Sequence, residues 1–475
     1  MTTITKTPGV YVEEISTTPA SVAGVGTAIP AFVGFTEKAI INGSNWWPSG
    51  TGPAPAVRIT SILEYQQVFG GAFLETFNIT IVDTPASPPV SSRTITATLP
   101  TATPAKYNLF YSLQLYFANG GGPCYIVSVG DYTTTVNDTP IIAGINSLEK
   151  EDEPTLIVFP DAIGVSTVAK YGGIVKASLI LCNKMQDRFT IADVYGNSLS
   201  TISAYRTELG MDYLKYGASY MPFLNTLTNY GINLATSGTG SKVTSYNGSD
   251  PTLTGTPFVG TLSSTNPAVY QNILAAINNN FFVTLPPSAA IAGIYARVDR
   301  ERGVWKAPAN VGVMSVVGPT INITSAQQED LNVDASTGKS INAIRPFTGK
   351  GTLVWGARTL AGNDNEWRYV PVRRLFIYIE ESVEKATEFV VFEPNTANTW
   401  QRVKAMVEAF LTNLWRDGAL AGATTKDAFF VNVGLGTTMT AQDILEGKMI
   451  VEIGIAAVRP AEFIILKFEH KLQES

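Results

Sequence analysis

Short, unbroken apolar runs punctuate the first two hundred residues of this chain and limit its fold more than any other feature. Ala31-Phe32-Val33-Gly34-Phe35, Cys124 to Val129, Leu156-Ile157-Val158-Phe159 and Leu179-Ile180-Leu181-Cys182 are each four to six residues long. Helical patterns lie between them, at Tyr107 to Phe117 and about 166–177. A strand buried on one face alternates apolar with polar residues; a strand buried on both faces is apolar throughout. The runs therefore predict an α/β fold with a mostly parallel sheet covered on both sides. Ser61 to Gly71 reads as a short capped helix with a glycine stop, and Gly120-Gly121-Gly122 as a helix-to-strand turn.

Composition removes several functions. Charged residues are only 15% of the 475 and hydrophobic ones 45%, so much of the surface is expected to end up covered. A net charge of −6 offers no electrostatic reason to hold nucleic acid or an anionic membrane. No apolar run approaches the roughly 20 residues of a membrane span, so no membrane insertion is expected. Met1 to Lys6 lacks the apolar core of a signal peptide, which suggests a chain cytoplasmic at synthesis and assembly. Cys124 and Cys182 read as buried thiols. The one histidine, His470, lies near the C-terminus. A Ser-His-Asp mechanism would have to borrow it, and a multi-histidine zinc site cannot be built. Ser336-Thr337-Gly338-Lys339-Ser340 imitates a phosphate-binding loop, but Val333 stands where that loop needs glycine, so it reads as an exposed turn. No catalytic residue, metal or cofactor is expected.

The two ends carry isolated strand patterns. Val10-Tyr11-Val12-Glu13-Glu14-Ile15 lies between Pro8-Gly9 and Thr17-Thr18-Pro19, and Ala461 to His470 follows Arg459-Pro460. A lone strand is not stable and must pair with something. Val10, Tyr11, Val12, Glu13, Ile15, Phe463, Ile465, Leu466 and Phe468 are the expected inter-subunit contacts of two strand arms. Between the ends, 75–105 reads as a surface hairpin or ordered loop insertion, and 231–265 as a loop excursion.

Residues 289–310 combine an amphipathic helix with a charged end. Ile291, Ile294, Tyr295 and Val298 form its stripe, Ser288 is a candidate N-cap, and Gly303 is placed to end it. Arg297, Asp299, Arg300 and Arg302 form either a local ionic network or an ionic contact between subunits. Beyond 350, Leu353 to Leu360 and Tyr369 to Arg374 bracket a turn at Asn363-Asp364-Asn365. Two helices follow, the first with Glu380, Glu384 and Glu388 on its solvated side, the second with Trp400, Val403, Val407, Phe410, Leu411 and Leu414 inward. Lys448 to Val458 reads as a further strand.

Several blocks, taken in order, resemble the contractile tail sheath family. They are Thr7 to Glu14, Phe32-Val33-Gly34, Gly120 to Val129, the 289–310 segment, Gly356-Ala357-Arg358-Thr359-Leu360, Val372-Arg373-Arg374-Leu375, and Phe392-Glu393-Pro394-Asn395 with Trp400. The resemblance implies an N-terminal strand arm (1–20), an outer α/β domain (21–345), a C-terminal α+β inner domain facing a tube (346–460) and a C-terminal strand arm (461–475). It implies a metastable helical homopolymer of stacked rings that contracts to drive an inner tube through a target envelope. The implied partners are further copies, an inner tube protein, and baseplate and sheath-terminating cap proteins, with room for a second sheath paralogue. Arg402, Lys404 and Arg416 are the candidate tube-facing groups. The absence of a large extra outer domain favours an extracellular contractile injection system, with a contractile phage tail as the alternative. An α/β hydrolase is the rival of another class; the chain has no Gly-x-Ser-x-Gly elbow.

Overall fold

A computed structural model describes residues 22–47, 52–99 and 107–463. Within that range the chain forms two compact units. One holds 26–378 and 459–463, the other 22–25 and 379–458. The division falls inside a helix, later than the 345/346 position expected from sequence.

The larger unit is built on a nine-stranded sheet. Its strands are β1 (Pro30–Thr36), β2 (Val57–Ile59), β3 (Cys124–Asp131), β4 (Leu156–Val158), β5 (Phe189–Asp193), β6 (Gly217–Met221), β7 (Val311–Gly312), β8 (Asn342–Phe347) and β9 (Gly351–Val354). Their order is β7-β9-β8-β6-β5-β4-β1-β3-β2. The six from β3 to β8 through β1 run parallel. Antiparallel strands close both edges. The expected mostly parallel α/β sheet is therefore present.

Helices cover both faces. On one side α1 (Leu109–Ala118) lies against β1, on the other α2 (Val168–Met185) lies against β5. Alternating side chains of β1 reach the two layers. The Phe32 ring meets Tyr116 of α1 at 5.2 Å. Val33 points the other way, so close to Gly144 of the helix Asp138–Ser147 that a Cβ there would stand 2.7 Å from it. This two-sided burial is why Ala31 to Phe35 is apolar throughout.

Leu179 to Cys182, expected as a strand, belongs to α2. Thr167 caps that helix by accepting the Lys170 N–H at 3.3 Å, and Gln186 ends it in a left-handed conformation at φ 61°. Ile180 is 55% exposed while Leu179, Leu181 and Cys182 are buried, which is helical rather than strand-like exposure. A four-residue apolar run carries no period long enough to separate the two. Of the segment Tyr369 to Arg374 that follows the turn, all but Tyr369 lies in helix α4; Pro371 fits its first turn, where the missing N–H costs nothing.

The two insertions build one small structure. Asn78–Thr84 and Ser92–Thr98 form the expected hairpin. Lys242–Tyr246, within the segment read as a loop, adds to it in parallel. Ile79, Ile81, Ala97 and Val243 supply its buried side.

Helix α3 (Ser288–Arg302) lies against α1. Gly293 allows the approach, since a Cβ there would stand 2.5 Å from the Tyr116 carbonyl oxygen. Helix α4 (Val370–Thr387) follows. In the smaller unit, α5 (Ala397–Arg416) covers a two-stranded sheet of β10 (Phe429–Val433) and β11 (Val451–Ile455). The buried stripe of α5 is Val403, Met406, Val407, Phe410, Leu411 and Leu414, and Glu380, Glu384 and Glu388 of α4 and its extension are exposed as expected. No helix among the described residues is long and apolar enough to cross a membrane.

Candidate functional site

The carboxyl ends of parallel strands are where doubly wound sheets bind ligands, at the point where strand order reverses. Here the reversal lies between β1 and β4, and Asp161 occupies it. Its carboxylate accepts the N–H groups of Phe35 at 2.7 Å and Leu109 at 3.0 Å, and that of Asn108. It thereby caps α1 from the strand that follows the next one in sequence. A Cβ on Gly34 would stand 2.5 Å from it, so the crevice is closed by backbone and carboxylate. Burial pushes its pKa up to about 6 against those hydrogen bonds.

Asp193, at the end of β5, repeats the arrangement for α3. It accepts the Ser288 N–H at 2.8 Å and the Ser288 hydroxyl at 2.6 Å. Ser288 is therefore the first residue of the helix and a donor, not its N-cap. Burial raises Asp193 to about 7. Asp161 and Asp193 are thus both committed to hydrogen bonds within their own chain. Ser336 to Ser340 begins as the exposed turn expected but ends buried: Ser336 is exposed, whereas Lys339 is 2% exposed and donates to the Arg206 carbonyl oxygen at 2.6 Å. No cluster of metal-binding side chains occurs among the described residues.

The charged end of α3 divides into an inner and an outer set. Asp299 is drawn inward. Arg374 grips it through two bonds, Nη1 at 3.0 Å and Nη2 at 2.5 Å, and both side chains are almost fully buried. The same guanidinium lies 4.5 Å from the centre of the Tyr295 ring, whose hydroxyl meets that of Tyr220 at 2.7 Å. Arg297 is half-buried and donates to the Gly312 carbonyl oxygen at 2.6 Å. Asp299 and Arg297 are thus local; Arg300 and Arg302 are exposed, Arg300 donating to the Gly120 carbonyl oxygen at 3.3 Å. Gly303 ends the helix as expected, at φ 88°.

Two arginines hold the chain close to the two ends expected to form arms. Arg374 Nη2 also donates to the Thr27 carbonyl oxygen at 2.7 Å, at the root of the N-terminal segment. Arg358 does the corresponding work near the C-terminus. Its Nε and Nη2 donate to Glu462 at 3.0 and 2.5 Å, and Asn332 and Tyr369 add donors to the same carboxylate at 2.8 and 3.2 Å. These arginines sit in two of the sequence blocks noted above, but their distant partners carry no signal in the sequence.

Phe463 is 71% exposed; the other expected arm contacts, Val10 to Ile15 with Ile465, Leu466 and Phe468, lie outside the described residues. On α5 the three basic candidates do not share a face. At about 100° per residue, Arg402 and Arg416 project about 40° apart, with Lys404 well away from both. Lys404 is half-buried beside Glu408 at 3.8 Å, and Arg402 lies over the Phe389 ring. Among the described residues, β10 pairs only with β11, leaving outer edges able to accept a strand.

Comparison with known proteins bears on this geometry. The profile for the phage tail sheath protein central domain matches residues 140–360, and that for the phage tail sheath C-terminal domain matches 362–471. The helical sheath of the anti-feeding prophage, solved in the contracted state, is 32% identical at a TM-score of 0.65, covering 98% of this chain and 100% of that one. The sheath complex of the PVC extracellular contractile injection system, also contracted, is 31% identical at 0.65, covering 99% of each. The tail sheath protein of Vibrio phage KVP40 is 27% identical over 130 residues, 27% of this chain and 19% of that one. The matched stretch thus spans about a fifth of that curated relative.

Proposed function

The chain belongs to the contractile tail sheath family, and from that premise we propose that it is the structural subunit of an extracellular contractile injection system. Copies polymerise helically around an inner tube, rest in a metastable extended state, and contract to drive the tube through a target envelope. The observation that carries this reading is the end-to-end correspondence, at 31–32% identity, with two sheath chains of such systems. Partners follow from it: further copies, a tube protein, a baseplate and a terminating cap.

Linkage between subunits is the mechanical requirement. A helical polymer needs patches that join different patches without closing a ring. The N-terminal strand Val10 to Ile15 and the C-terminal strand from Phe463 onward are the donors in this reading, and the outer edges of β10 and β11 are natural acceptors. Each added strand contributes several backbone hydrogen bonds of about 1 kcal/mol net. Subunits then stay joined while their bodies rotate. Arg300 and Arg302 are the groups left for ionic contact between bodies; Arg402 and Arg416 are the pair placed to meet an acidic tube.

Contraction needs no nucleotide on this account. About 200 Å² of additional apolar burial per subunit supplies roughly 5 kcal/mol at 25 cal/mol per Å². Electron microscopy of the purified chain, alone and with its tube protein, tests the reading. A striated hollow polymer is expected, and a chain lacking residues 1–20 should fold yet build no full-length sheath. A full-length sheath from that shortened chain would refute strand linkage, and a monodisperse monomer under all conditions would refute the sheath.

A further inference from the structure

The chain around Glu462 is tied to the body in an unusual way. Ala461 and Phe463 on either side are exposed, while the Glu462 side chain is drawn in to 21% exposure. Four bonds from three separate segments converge on its carboxylate. Asn332 closes the helix Ser325–Asn332, Arg358 follows β9, and Tyr369 precedes α4.

The socket for this carboxylate is braced by contacts of its own. Arg358 is 3% exposed, and its Nη1 donates to the Asn332 carbonyl oxygen at 3.1 Å. Its backbone is locked to Asn342 by a reciprocal pair: the Arg358 N–H donates to Asn342 Oδ1 and Asn342 Nδ2 donates to the Arg358 carbonyl oxygen, both at 2.8 Å. A guanidinium held this rigidly is preorganised for a planar, two-oxygen partner. Withdrawing Glu462 would leave a buried cation unmatched, so the contact resists release more than an exposed ion pair would. The root of the other arm is held in the same style, by Arg374 on Thr27.

We propose that Arg358 and Glu462 form an anchor that sets where the C-terminal arm begins, making both positioning residues for linkage between subunits. This rests on the strand-linked sheath reading above. An anchor at Glu462 divides the chain in two mechanically. Slack introduced before it never reaches the arm, whereas slack introduced after it lengthens the span to the neighbouring copy. Without an anchor, the two insertions would lengthen the arm equally.

The test is a pair of full-length chains. One carries Gly-Gly-Ser between Pro460 and Ala461, the other carries it between Phe463 and Ile464. Both are assembled with the tube protein and scored for yield and length of sheath, with thermal melting to confirm folding. The downstream insertion is expected to lower the yield of full-length sheath about tenfold or more, because the roughly twofold loss of effective concentration that slack causes at each joint is compounded over the successive joints of a sheath. The upstream insertion should stay within about twofold of wild type on the same reasoning. Glu462→Gln, combined with the upstream insertion, should bring the yield down to that of the downstream chain. Equal effects of the two insertions, including no effect of either, would overturn the anchor. Failure of the unmodified chain to form any polymer would overturn the sheath reading and the anchor with it.

Discussion

Replacing Asp161 tests the claim that one carboxylate closes the crevice of the sheet and caps α1. Three backbone N–H groups point at it from Phe35, Asn108 and Leu109. A buried donor left without an acceptor costs about 1–3 kcal/mol. Asp161→Ala strands all three; a water entering the vacated volume could serve some of them, so about 3–5 kcal/mol is expected. Asp161→Asn keeps one carbonyl oxygen, enough for the Asn108 and Leu109 pair, and turns an amide N–H₂ toward Phe35. Its loss should be about 1–3 kcal/mol. pH separates the charge from the shape. Burial raises the native pKa from 3.8 to about 6, so the folded chain binds this proton more tightly than the unfolded one. That contribution is complete below about pH 4 and disappears as pH rises through 6. Between pH 8 and pH 5 the wild type should gain about 1.4 kcal/mol over Asp161→Asn. Urea unfolding of the monomeric chain at both pH values measures each quantity. An Asp161→Ala chain within about 1 kcal/mol of wild type would refute the capping argument. A wild-type advantage over Asn that grows toward pH 8 would refute the sign of the shift.

Further predictions concern the packing around α3 and the thiols. Arg374→Met should cost about 3–5 kcal/mol in denaturant titration because Asp299 is left buried and unpaired, and adding Asp299→Leu should restore much of it. Gly120→Ala should destabilise by about 1–3 kcal/mol, since the residue sits at φ 101° and a Cβ would meet that of Arg297 at 2.8 Å; a thermal melt reads this. Cys124 and Cys182 should resist iodoacetamide at pH 8 until the chain unfolds, because burial raises both thiols, Cys182 to about 12; mass spectrometry of the alkylated protein checks it.

Legibility followed physical range. Ala31 to Phe35, Cys124 to Val129 and Leu156 to Val158 announced buried strands because two-sided burial favours apolar residues at nearly every position, Ser128 being the exception. The end of α3 at Gly303 and the stripe of α5 were equally plain, since caps and helical periods are local. Phe189–Asp193 and Gly217–Met221, both central strands, escaped notice. Thr190 and Ser219 interrupt them, and these hydroxyls are buried because Ser178 and Tyr205 pair with them at 2.6 Å each. A pattern that scores polarity cannot know that a partner waits in another element.

The linear order of residues by itself decided the α/β layering, most of the turns and the family, because each depends on neighbours along the chain. Only the folded chain decided which carboxylate caps which helix, that two distant insertions join into one sheet, and that Arg358 and Arg374 reach Glu462 and Thr27. The reason is physical. Periodicity encodes which side of a segment meets the core, while the partner of a buried charge is set by where the backbone brings remote segments together.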